Sequence, residues 1–382
     1  MNRTERINIL QGLIKIDTTN GNEREAAVYL KKIFESYGIS SKEVLYTEER
    51  ANLVTEVGEG EKILGFSGHL DVVSAGDVTE WTYPPFSGIE IDDRIYGRGA
   101  TDMKSGLAAM VVAMIELSKE GALNHGKIKL LATVGEEIGL LGARQLTEEG
   151  YVDDLDALVI GEPTQDTIVF AHKGVFTYRV KSKGISAHSS MPELGVNAID
   201  KLVVFYNALQ EKLSKITEEN SILGKFIHNT SIIEGGNQVN SVPEYAELVG
   251  NIRTIPEFDN KKTEELFENL IKRINEADSS SNLELLVTQS SYPMFSSEDS
   301  EIVQLAKYSA KEILKKDIPT IGISGGTDAC EFTRGKKKFP IIIFGPGNDT
   351  PHKTDEYVEI QNYLEMIEVY KDMAIRFFKE SR

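Results

Sequence analysis

Cysteine is almost missing from this chain: Cys330 is the only one in 382 residues. A single thiol excludes an internal disulfide and a zinc site built from cysteines, and it suits a reducing compartment. Basic residues are also scarce, with 42 Lys plus Arg against 60 Asp plus Glu and a formal net charge of −18. The acidic residues are dispersed rather than gathered in a tail, and such a surface repels phosphate backbones and anionic lipid. Neither nucleic acid nor a membrane is therefore expected as a partner. The opening MNRTERINILQGLIKID carries charges through its apolar positions, which makes it neither a secretory segment nor a span. Nothing later supplies the roughly eighteen consecutive apolar residues that a membrane helix needs. A cytoplasmic location is expected. Internal repeats and low-complexity tracts are absent as well.

What is present is enough apolar material, 40% of residues, for more than one core, and two domains are expected at this length. Residues 3–16 and 23–37 show helical spacing. KILGFS then reads as a buried strand that stops at Gly68-His69. MKSGLAAMVVAMIELSKE (103–120) has the length of a largely buried helix, and KIKLLATV (127–134) is a strand running into Gly135-Glu136-Glu137. A helical GLLGARQLTEEG follows, then the strand DALVI (156–160) stopping at Gly161-Glu162-Pro163. Near the C-terminus FPIIIF (339–344) is a fourth buried strand, its loop GPGNDTPH delivers His352, and 356–379 read as a closing helix. Alternating strands and helices predict an α/β fold, a mostly parallel sheet with helices on both faces, in which ligands bind beyond the carboxyl ends of the strands.

The middle of the chain has another order. VFTYRVKSKG, a helix over 195–214, FIHNTSIIEG, YAELVGNIRT, a helix over 260–276 and NLELLVTQ give β-α-β-β-α-β, the ferredoxin-like pattern. The expected organisation is a first domain over 1–174 and 291–382, interrupted by an inserted domain over 175–290.

His69, Asp102, Glu137, Glu162 and His352 all fall near one predicted sheet edge. A lone histidine in a loop carries little weight, but two histidines and three carboxylates are nitrogen and oxygen donors of the kind zinc accepts. They suffice for two ions if Asp102 bridges, each ion then receiving one His, one Glu and one shared oxygen, with a position left open for chemistry. Asp71, two residues beyond His69, is placed to accept a hydrogen bond from the ring nitrogen turned away from the metal. Glu136 points differently from its neighbour Glu137 and is expected to act as general base, taking the proton of an attacking water and passing it to a departing amine. Two phosphate motifs fail on inspection. Gly97-Arg98-Gly99 has Asp102 where a dinucleotide fingerprint needs its last glycine, and Lys104-Ser105 is preceded by Met103 where a phosphate loop needs glycine.

Taken in order and spacing, GHLDVV, YGRGATDMKSG, ATVGEE, GEPT, NSVP, SGGTDA and FGPG…PHKTDEY resemble one family over essentially the whole chain. It is the metal-dependent amidohydrolase and peptidase family of acetylornithine deacetylase, succinyl-diaminopimelate desuccinylase, aminoacylase and the glutamate-releasing carboxypeptidases, with desuccinylase-like members the nearest. The resemblance implies that His69 and Glu162 hold one divalent ion, Glu137 and His352 the other, and Asp102 both. The ions would be Zn²⁺, with Co²⁺ or Mn²⁺ also compatible. It implies catalytic roles for Asp71 and Glu136 and a cis peptide after Asp102. It makes His188 in GISAHSSMP the oxyanion stabiliser, a residue that in dimeric relatives reaches the active site of the other subunit. Asn240, Arg253, Gly326 and Thr327 match substrate-holding positions, and a homodimer through the inserted domain is implied. Read without the family, Arg253 alternates with apolar residues on a strand and simply faces solvent. His125, His172 and His228 are expected to be structural or surface residues.

The expected activity is hydrolysis of the amide bond of an N-acyl amino acid or short peptide, with N-succinyl-diaminopimelate the first substrate and acetylornithine or a peptide the rivals. Ser324-Gly325-Gly326-Thr327-Asp328 departs from the Thr-Ser-Asp of the best-known desuccinylases, whereas Glu162, where several dipeptidases have Asp, leans back toward deacylases and carboxypeptidases. A non-catalytic binding or dimerisation scaffold would be expected to have lost at least one of the ligand or base positions, and all are present.

Overall fold

The computed structural model describes residues 1–379. The chain divides into a larger unit, Met1–Phe170, Phe295–Ile321 and the segment from Thr327 onward, and a smaller one, Ala171–Met294 with Gly322–Gly326.

In the larger unit the strands Gly126–Thr133, Ile63–His69, Ala157–Pro163 and Ile341–Gly345 are neighbours in that order and run parallel. Every residue of Ile63–His69 and of Ile341–Gly345 is buried, which is why both read as continuous apolar runs rather than alternations. On the far side of Gly126–Thr133 the sheet continues through antiparallel pairings to Ala51–Glu59 and Ser41–Leu45. The four parallel strands put their carboxyl ends on one edge, and the sheet register pairs His69 with Thr133, two residues before Gly135-Glu136-Glu137.

Helix Lys104–Lys119 is buried continuously from Lys104 to Leu117, the environment expected of a helix apolar on all sides. Its close approach to the sheet requires glycine, since a Cβ on Gly106 would lie 1.9 Å from the Gly161 carbonyl oxygen. The start of this helix, just after Asp102, is thereby brought against the strand that carries Glu162. Lys104 is itself fully buried and donates from Nζ to the carbonyls of Leu13 (3.0 Å) and Ile16 (2.8 Å) at the C-terminal end of helix Arg3–Ile14. A small antiparallel sheet, Ile89–Ile91, Arg94–Tyr96 and Tyr357–Glu359, pairs Tyr357 with Tyr96. It lays the segment after Tyr96 beside the one before Tyr357. Three-residue strands have no readable periodicity, and this sheet has no counterpart in the sequence expectation. Helix Ile360–Phe377 follows it directly.

The smaller unit holds a four-stranded antiparallel sheet in the order Ile227–Gly235, Tyr245–Thr254, Gly174–Lys183, Leu283–Ser291. Phe176, Tyr178 and Val180 alternate into a core with Leu202 and Phe205 of helix Ala198–Leu213 and Phe267 and Leu270 of helix Asn260–Ala277. A two-residue hairpin, Glu219–Asn220 with Gly224–Lys225, is added before the edge strand.

Candidate metal centre

His69 closes its strand with its side chain 1% exposed. Its Nδ1 lies 2.9 Å from the backbone carbonyl of Asp71, an oxygen that can only accept, so the ring proton sits on Nδ1. The other nitrogen, Nε2, is thereby aimed at Asp102 Oδ1 at 3.2 Å and Glu162 Oε1 at 3.6 Å. Lone pair against carboxylate is repulsive unless a second proton or a cation stands between them. His352 makes the matching arrangement, with Nε2 at 3.0 Å from Glu137 Oε1 and 3.4 Å from Asp102 Oδ2.

These four separations bear on what the site can hold. Four donors placed tetrahedrally at zinc-ligand distances are about 3.3 Å apart, and the observed spacings bracket that value. Donor atoms of His69, Asp102 and Glu162 lie within 4.8 Å of one another, as do those of Asp102, Glu137 and His352, and the two groups share Asp102 through opposite oxygens. His69, Glu136 and Glu137 form a third such group. The peptide between Asp102 and Met103 is cis.

Asp71 holds the site differently from the sequence expectation. Its carboxylate stands 3.6 Å from His69 Nδ1, while Oδ1 accepts from the amide of Glu136 and Oδ2 from the amide of Glu137, both at 3.1 Å. The carbonyl, not the carboxylate, orients His69, because two amide donors already occupy the carboxylate. Asp71 thus links the His69 strand end to the turn carrying both glutamates.

The electrostatics follow from crowding acids in a buried place. Burial alone would lower the His69 pKa, but the Glu162 and Asp102 carboxylates outweigh it and raise it well above the ordinary value. The hydrogen bond to Asp102 lifts His352 to about 9. Burial, which would raise Asp102, is overcome by its bonds to His352 and His69, and its carboxyl is held well below the usual range. Burial pushes Glu162 and Glu136 well up, and Glu137 up less steeply. For Glu136 the nearby Asp328, Glu137 and Asp102 carboxylates add to the effect against an opposing His69. Such pairs of raised and lowered groups are what a cation site or an acid–base site requires.

The remaining sequence-predicted residues make contacts within their own units. Thr327, in the larger unit, uses its hydroxyl to accept from the Ala329 amide at 3.3 Å. In the smaller unit His188 Nδ1 pairs with the Ser190 hydroxyl at 2.7 Å, and its backbone bridges Ser241 beside Asn240. Arg253 Nη1 donates to the Ser324 carbonyl at 3.3 Å, two residues before Gly326. His125 is exposed, His172 is buried with its pKa lowered to about 4 by burial, and His228 Nε2 meets the Tyr178 hydroxyl at 2.7 Å.

Two residues inside quoted motifs were given no role by sequence reasoning. Asp328 is buried, accepts from the Thr133 hydroxyl at 2.6 Å, and is pushed up to about 7 by burial. Glu356 is fully buried beneath the backbone around Asp102. An acidic residue four positions after His352 in PHKTDEY was the only signal for it.

Residues 65–376 match the peptidase family M20/M25/M40, and the chain belongs to that family. It is a metallohydrolase acting on amide bonds. Over 403 aligned residues, covering 98% of both proteins, it is 40% identical to a protein of Staphylococcus aureus strain MRSA252 described as a probable succinyl-diaminopimelate desuccinylase. Its fold is shared with a tripeptidase from Staphylococcus aureus (TM-score 0.73, 25% identity, all of both chains covered). An M20 family metallo-carboxypeptidase from Sulfolobus solfataricus superposes with TM-score 0.75 at 21% identity, covering 99% of this chain and 100% of that one.

Proposed function

We propose that this protein is a two-metal hydrolase that cleaves the amide joining a small acyl group to an amino acid, with N-succinyl-diaminopimelate as its substrate. The observation that carries the chemistry is the placement of His69 Nε2, oriented by the Asp71 carbonyl and facing the carboxylates of Asp102 at 3.2 Å and Glu162 at 3.6 Å. The 40% identical relative described as a probable desuccinylase supports the succinyl substrate.

In this reading His69 and Glu162 hold one ion, Glu137 and His352 the other, and Asp102 both. Zn²⁺ suits the mixed nitrogen and oxygen donors, and Co²⁺ or Mn²⁺ fits the same set. Divalent ions held by these residues would supply Lewis-acid polarisation of the scissile carbonyl and acidification of a water. Glu136 takes the proton of the attacking water and returns it to the departing amine. Glu136 is placed for this by its turn beside Glu137, with burial and the neighbouring Asp328, Glu137 and Asp102 carboxylates raising its proton affinity toward that of a group that can both take up and release a proton. Asp71 keeps Glu136 and Glu137 in place through their amides. His188 donates to the developing oxyanion, a contribution of about 3 kcal/mol per donor in comparable sites. Asn240, Arg253, Gly326 and Thr327 hold substrate, with the planar guanidinium of Arg253 suited to an α-carboxylate. The protein works as a cytoplasmic homodimer joined through the smaller unit.

The test is amine release from N-succinyl-diaminopimelate, N-acetylornithine and a set of dipeptides and tripeptides by zinc-loaded protein, with a chelated sample alongside. Turnover of the succinyl substrate far above the rest is expected. A preference for a peptide or for acetylornithine would leave the metal chemistry standing and refute the substrate. Absence of metal-dependent hydrolysis across the panel would refute the enzyme reading.

A further inference from the structure

Glu356 takes no part in the chemistry above, yet it gathers four hydrogen bonds around the shared ligand. Its Oε1 accepts from the amides of Thr101 (2.8 Å) and Asp102 (2.9 Å), and its Oε2 from the amide of Gly99 (3.0 Å) and from Arg98 Nη1 (2.6 Å). Arg98, 2% exposed, also donates to the carbonyls of Lys353 and Ser74, both at 3.2 Å, and lies 5.3 Å over the Trp81 ring. One buried ion pair therefore ties together three loops: the one after the His69 strand, the one ending in Asp102, and the one carrying His352. A buried carboxylate with all its acceptor sites used holds its donors firmly, because no water stands ready to replace it.

The segment from His352 to Glu356 needs such a hold. His352 and Asp355 both have left-handed backbone, φ 63° and 55°, a conformation that non-glycine residues keep only when surroundings impose it. His69 has no such need, since it is part of a buried strand paired to its neighbour.

We propose that Glu356 is a positioning residue for the ion at Asp102, Glu137 and His352: it fixes the Asp102 backbone relative to the His352 loop, and Arg98 holds it in register. This inference rests on the two-metal reading above. It predicts an asymmetric defect, in which loss of Glu356 slackens the His352 side and spares the His69 side.

The experiment is zinc binding by equilibrium dialysis against a competing chelator, on wild type and on Glu356→Gln, which keeps the side chain's shape but presents an amide nitrogen to one set of backbone donors. Wild type should hold two ions. The variant should hold the first with unchanged affinity and the second about 10- to 100-fold more weakly. Its turnover should return when zinc is raised, with KM for substrate unaltered, which a general loss of structure would not produce. Equal retention of both ions, or equal loss of both in a folded variant, would overturn the inference. If Glu356→Gln does not fold, Arg98→Lys decides, since it keeps the charge but loses the forked bonds to Lys353 and Ser74: the same asymmetry supports the inference and unchanged binding refutes it. Wild type holding fewer than two ions would refute the two-metal reading and this inference with it, whereas two ions held equally by wild type and variant refutes this inference alone.

Discussion

His69 closes a buried strand and its side chain is 1% exposed, whereas His352 sits in a left-handed loop with 53% of its side chain exposed. Both imidazoles face two carboxylates, and both share Asp102, but the sheet builds one half of the centre and loops assemble the other. The first half inherits its geometry from backbone pairing that the fold must make anyway. The second depends on contacts between residues more than two hundred positions apart, such as Glu356 with Thr101 and His352 with Glu137. A centre of this kind has a rigid side and an adjustable side, and substitutions should report which side they touch.

The largest effect is expected from a residue assigned to neither half. Glu136→Gln should lower kcat by about 10²–10⁴ while zinc content stays at two, measured by steady-state kinetics beside metal analysis. Loss of an ion in that variant would move Glu136 into the ligand set. Next come the histidines themselves. His352→Ala should empty its own half and leave the other near wild-type affinity, a change larger than the ~10- to 100-fold typical of a supporting residue. His69→Ala should disturb both halves, because it opens a cavity at the buried strand end that Asp71 ties to the turn carrying Glu137; equal and independent effects would break the comparison.

Asp71→Asn sharpens it further, since the backbone carbonyl that orients His69 survives and only one of the two bonds to the Glu136 and Glu137 amides is lost. A fall of about tenfold in kcat, the size of one charge-assisted hydrogen bond, should occur with metal content intact. A loss of metal instead would return the orienting role to the carboxylate. The smallest effect concerns pH in the metal-free protein. Because the His352 pKa is raised to about 9 from its ordinary 6.5, its contact with Asp102 stabilises fully below about pH 6.5 and fades as pH rises through about 9. Given the exposure of the ring, this amounts to no more than about 1 kcal/mol. It should appear as a difference in Tm between chelated wild type and His352→Ala that shrinks with rising pH. The same proton must leave for an ion to bind, so the affinity of this half should rise over that window.

Much of the α/β unit was legible in the sequence because its strands are buried on both faces and end in charged residues. KILGFS, KIKLLATV, DALVI and FPIIIF could each be read as a strand delivering a polar group, and parallel pairing then put those groups on one edge. The role of Asp71 was not legible, since a pattern of residue types does not reveal whether a carbonyl or a carboxylate meets a ring nitrogen. Glu356 was hidden for another reason: its four donors lie 254 to 258 positions away, and no local periodicity encodes a loop-to-loop bond. The three-residue strands that bring those loops together are too short to show a pattern.

Sharing of Asp102 between two ions would be seen in anomalous scattering from zinc-loaded crystals. Two peaks on either side of the Asp102 carboxylate are predicted, one beside His69 and Glu162 and the other beside Glu137 and His352. A single peak, or a second one held without Asp102, would show that the carboxylate does not bridge two ions.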